Sequence, residues 1–266
     1  YNTALACLPA NEALDFVCHH IYQPPTSYDD VVKNATTLDR LAAVWPNQPV
    51  MLGEFGYSNG LWVGERRLDW HASAVGEMIV YLAAVAHDHA GALKWLLAEW
   101  PAAAMRDNAG WMSPDNVYEQ RFGSFAYDGT PEMKPKPVAY ALRFLREYID
   151  HEGTGGELTI THAETPIGAG YVFRGERALF VGDQRAELPG LAFEPRGAEA
   201  ANVMLTWNGR GIRLMCDTDV DVRLRPAELD PSLAHLSSVT GGHGGSHTDA
   251  AVLEIRALEG EVIEVR

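Results

Sequence analysis

The feature that most restricts the possible folds is a change of pattern in mid-chain, at Glu152-Gly153-Thr154-Gly155-Gly156. Such glycine clusters punctuate structure and read as linkers. Upstream, short apolar runs alternate with longer helical patterns. Residues 14–22, 49–55 and 92–97 read as strands, and residues 38–45, 68–86 and 137–149 as helices, with 68–86 long and amphipathic. That order, strand and helix in turn, is the grammar of a parallel sheet with crossover helices. Downstream the helical period disappears. Hairpins are expected at 170–183 around Arg174-Gly175-Glu176, at 202–224 around Asn208-Gly209, and at 251–266 around Glu259-Gly260. This predicts an α/β unit over residues 1–152 and an accessory antiparallel β-sandwich over 153–266.

Side chains alternate faces along a strand. His20 and Tyr22 therefore share a face near the end of the first strand. Glu54 ends the second, between Gly53 and Gly56, and Trp95 is placed similarly on the third. Active sites of parallel α/β barrels gather at the C-terminal ends of their strands. A carboxylate there can attack an anomeric carbon, a phenol can hold it by a hydrogen bond, and an indole can stack on a sugar. Taken singly, each residue has a plainer reading: a solvated strand end, hydrogen-bonded structure, core. Their occurrence in order on three successive strands favours a site. His19 and His20 point to opposite faces and are not expected to chelate together. Trp207 is expected in the core of the sandwich.

The ordered set His20-x-Tyr22, Gly53-Glu54-Phe55-Gly56, Gly91-Ala92-Leu93-x-Trp95 and Asp128-Gly129-Thr130 leading to Lys136-Pro137 resembles strands six to eight and the closing helix of clan A glycoside hydrolases. Family 5, the cellulase and mannanase family, is the specific likeness, over residues 14–150. The resemblance implies the C-terminal portion of a TIM barrel followed by a β-sandwich. It also implies a retaining glycoside hydrolase acting on β-linked glycosides or polysaccharides by double displacement. In that reading Glu54 is the catalytic nucleophile, His20 and Tyr22 line the adjoining sugar subsite, and Trp95 is its stacking floor. The family's acid/base is a glutamate after asparagine on strand four. Asn11-Glu12 does not fill that place, because Glu12 precedes Glu54 by only about 40 residues, roughly one βα unit. The expected partners are thus a carbohydrate substrate and the N-terminal half of the barrel, as a separate chain or cleaved fragment. The chain alone is expected to be inactive. Lys94, beside Trp95, departs from the family pattern and would be awkward facing the helical layer.

Rival readings are a carbohydrate-binding protein on a degenerate barrel, and an open doubly wound sheet. The latter needs a phosphate-binding glycine loop, and Gly53-Glu54-Phe55-Gly56 would set a carboxylate against the anion. The net charge of −15 argues against nucleic acid, and no apolar run reaches the roughly 20 residues of a membrane helix. Cys7, Cys18 and Cys216 are too scattered for a disulfide framework or a zinc site. The histidines of the loop 240–247 read as flexible surface. No cofactor and no metal are expected. The sequence begins at Tyr1 without an initiator Met, and localisation stays open.

Overall fold

A computed structural model describes residues 15–22, most of 33–57, 62–63, 66–67, 70–99, 122–126, 131–148, 155–162, 167–183, 186–241 and 252–266. Asn11-Glu12, Asp128-Gly129-Thr130, most of the glycine-rich break and most of the Gly/His loop lie outside these residues.

Three strands form a parallel sheet: β1 (Val17–Ile21), β2 (Val50–Phe55) and β3 (Gly91–Lys94), with β2 in the centre. Helix α1 (Trp70–Ala86) packs on one face of this layer, and helix α2 (Pro137–Tyr148) packs against α1. The amphipathic pattern expected of α1 is not what it uses. Ala74, Val75, Met78, Ile79, Val80, Leu82, Ala83 and Ala84 are all buried, on nearly every side of the helix. A helix apolar all round belongs inside a core. α1 lies between two sheets, touching β2 and β3 on one side and the antiparallel strands on the other.

The antiparallel part begins with β4 (Glu157–His162), β5 (Ile167–Phe173) and β6 (Glu176–Asp183). Short strands β7 (Ala186–Leu188) and β8 (Leu191–Pro195) follow, then β9 (Ala201–Asn208), β10 (Gly211–Cys216) and β11 (Val220–Leu224). The last are β12 (Val239–Thr240), β13 (Leu253–Ala257) and β14 (Val262–Val265). They form a seven-stranded sheet, β12-β14-β10-β9-β6-β5-β4, and a four-stranded sheet, β7-β8-β11-β13. The hairpin β5–β6 turns at Arg174-Gly175, with φ of 49° and 81°. Positive φ at both central residues matches the twist of a two-residue hairpin. The expected third hairpin does not form. β13 pairs with β11 and β14 with β10, so the turn at Glu259-Gly260 carries the chain from one sheet to the other. Alternation of apolar residues says which face of a strand is buried, and nothing about which sheet it joins.

Burial follows the layers. Between the antiparallel sheets lie Val203, Leu205, Leu214, Val222, Ile255 and Ile263, with Trp207 in the same cluster. A second apolar core runs without interruption from Leu52 and Phe55 through α1 to Phe144, Phe180 and Met204. The Phe144 and Phe180 rings meet edge to face at 5.9 Å, an arrangement worth roughly 0.5–1.5 kcal/mol beyond the burial itself.

The expected TIM-barrel portion is therefore corrected. The described residues are mostly β-sheet with few helices, and no barrel portion is shown. Barrel helices form an outer ring, whereas α1 is enclosed on both sides. Strand-helix alternation specifies parallel pairing, and it is common to several architectures. The far face of the parallel sheet carries exposed Cys18 and His20, and Leu93 is 53% exposed.

Candidate functional site

A bulge in β2 sets the site. His19 pairs with Leu52 but His20 pairs with Glu54, so Gly53 is the extra residue. Leu52 and Phe55, three apart, both reach the core against α1, which regular alternation would forbid. Bulges re-aim side chains next to functional sites. Here the bulge brings Glu54 beside His20. At Gly53 a Cβ would collide with the Cys18 sulfur and crowd the His20 ring at 3.1 Å, so a larger residue would displace both side chains.

Tyr22 and His20 meet Glu54, and Trp95 joins them through the Tyr22 ring. The Tyr22 hydroxyl donates to Glu54 Oε2 at 2.6 Å, and His20 Nδ1 lies 3.3 Å from the same oxygen. The His20 and Tyr22 rings stand at 89°, centroids 6.3 Å apart. Trp95 meets the Tyr22 ring edge-on at 6.5 Å. The Glu54 side chain is one-third exposed and that of His20 about half, so the carboxylate faces an accessible surface. The group can accept hydrogen bonds, offer a negative charge and present a ring face.

Two further elements escaped sequence reasoning. Phe122 packs edge-on against Tyr22 at 5.5 Å. It comes from an irregular segment with no periodicity to mark it. Beneath the mouth lies a buried set of charges. Lys94 does face the helical layer, and Glu77 of α1 answers it, with Nζ 3.4 Å from Oε1. Glu77 Oε1 also accepts the Tyr57 backbone N–H at 3.0 Å. Lys136 pairs with Glu99 at 2.9 Å, both buried. Burial pushes the Glu77 carboxyl up and the Lys94 and Lys136 ammonium groups down, while each pairing opposes the shift. A lysine in an apolar strand next to a helical Glu was the available signal.

Comparison with known proteins gives one partial family match. The model of the metallo-β-lactamase superfamily matches residues 87–202, from just after α1 to the start of β9 and fewer than half of the 266 residues. It includes Trp95 but not His20, Tyr22 or Glu54. No curated protein matches. Among solved structures, SrfJ from Salmonella typhimurium is 13% identical, with 74% of this chain and 39% of that one covered at a TM-score of 0.39. A GH30 endoxylanase from Clostridium papyrosolvens C71 is 8% identical, with 97% and 51% covered at 0.35. Cryptococcus neoformans sterylglucosidase 1 is 12% identical, with 89% and 32% covered at 0.26. The chain thus spans about half or less of the length of these proteins, and similarity this low fixes neither fold nor activity.

The family match overturns the expected retaining glycoside hydrolase, the family 5 likeness and the double-displacement mechanism. Short motifs at strand ends recur on unrelated sheets, so their order alone did not determine the family. Members of the matched superfamily are generally hydrolases, which supports an enzyme at that coarse level. The superfamily's name implies a metal. His87 and His89 open the matched segment with ring centroids 6.3 Å apart, and Asp88 between them accepts the Gly155 backbone N–H. Among the described residues no three of His, Cys, Asp and Glu converge to hold an ion. The described residues do not fit a metal centre.

Proposed function

We propose that this chain carries a carbohydrate-binding site centred on the Glu54 carboxylate. The observation that carries the reading is the hydrogen bond from Tyr22 to Glu54, flanked by His20 and Trp95 at the C-terminal end of a parallel sheet. In open α/β sheets, ligands bind outside the carboxyl ends of the strands. Glu54 accepts from a sugar hydroxyl. His20 hydrogen-bonds the same ring, and Trp95 offers its face to the ring's C–H surface. A neutral ligand also suits an acidic chain of net charge −15, which would repel phosphates.

The test is calorimetric titration with a panel of neutral β-linked disaccharides: cellobiose, xylobiose and mannobiose. At least one should bind. Trp95→Ala should weaken it by about tenfold, or ~1.4 kcal/mol, in a variant that melts at the parental temperature. If Trp95 is plain core, the same change lowers the melting temperature and leaves affinity untouched. Glu54→Gln with unchanged affinity removes Glu54 from the site.

A further inference from the structure

The Lys94 ammonium joins the two backbone segments that carry the aromatic walls of this site. It donates to the Trp95 carbonyl and to the Phe122 carbonyl at 2.6 Å. Both rings pack edge-on against Tyr22, which in turn donates to Glu54. Glu77 faces the ammonium from α1. The space is tight: a Cβ at Gly56 would collide with the Trp95 carbonyl and come within 2.9 Å of Lys94 Nζ.

We infer that Lys94, held by Glu77, is a positioning residue: it fixes Trp95 and Phe122 against Tyr22 and thereby aims the Tyr22 hydroxyl at Glu54. A buried ion pair costs desolvation of both charges, and apolar residues of similar size often do as well for stability. The carbonyls it gathers belong to residues of the site, and Phe122 lies 28 positions from Lys94 along the chain. A flexible ammonium with three donors can satisfy a carboxylate and two carbonyls together. The inference rests on the proposed carbohydrate site for its effect on binding, and stands apart from it for the placement of the rings.

Lys94→Met alone leaves Glu77 buried without its cation, which is strongly destabilising, so the informative variant is Glu77→Gln with Lys94→Met. The full chain is labelled with 5-fluorotryptophan and the Trp95 line assigned by Trp95→Phe. Positioning predicts that the Trp95 line shifts or broadens in the double variant without ligand, while the other lines stay in place and the melting temperature changes little. It also predicts about a tenfold loss of affinity for whichever disaccharide the parent binds, since small displacements of a positioning group carry large penalties. An unmoved Trp95 line in the folded double variant overturns the inference. If no disaccharide binds the parent, the carbohydrate reading fails, and the ligand-free Trp95 line still decides the role of Lys94.

Discussion

The parallel sheet and the antiparallel sandwich handle burial in opposite ways. Between the two antiparallel sheets the interior is apolar, with Leu205, Leu214 and Ile263 fully enclosed. The parallel layer packs one face on α1 and has Cys18, His20 and Leu93 exposed on the other. It also concentrates buried charge, in Glu77, Lys94, Glu99 and Lys136. The contrast separates stability, held in the apolar interiors, from chemistry, gathered where polar groups meet at strand ends.

The largest effect is expected from breaking a buried pair. Lys136→Met leaves the Glu99 carboxylate enclosed without its cation and should cost about 3–5 kcal/mol, measured by urea unfolding. A cost near zero would mean that this polar cluster is as replaceable as a surface pair. In the sandwich, Leu205→Ala should cost roughly 2–5 kcal/mol by opening a cavity. It should leave carbohydrate affinity unchanged at temperatures where the variant is folded. Lost affinity there would couple the regions that the comparison separates.

A smaller effect concerns pH. Burial holds the imidazoles of His89 and His19 below their ordinary value of 6.5, and neighbouring histidines push the same way. The folded chain therefore binds fewer protons than the unfolded chain just below pH 6.5. Stability rises with pH wherever the unfolded state holds more protons. The contribution of these histidines is thus complete above about pH 6.5 and declines as the pH falls through the window down to their folded-state values. His89→Leu should flatten that part of a curve of melting temperature against pH. An identical slope in the variant would remove His89 as a source.

What was legible in the sequence depended on the range of the interaction. Glu54, Tyr22, His20 and Trp95 were legible because strand alternation and strand ends are local properties, and the structure gathers all four. The pairing of Lys94 with Glu77 was not, because it joins a helix to a strand across a layer. Lys94 looked misplaced until its partner was seen. Phe122 carried no periodic signal. The closure of the sheet was misread as a barrel because alternating strands and helices fix parallel pairing without fixing what covers the outer side of α1. Its consecutive apolar residues, from Met78 to Ala84, held a cue that it is buried all round.

The most direct test of the central claim, that function resides at the ends of the parallel strands, is to map a bound disaccharide by amide chemical shifts on the full chain. Perturbations should gather at residues 20–22, 53–56 and 94–96, disappear in Trp95→Ala, and leave the strands β9 and β10 of the sandwich unchanged. Perturbations confined to β9 and β10, or a disaccharide panel that moves no resonance, would contradict it.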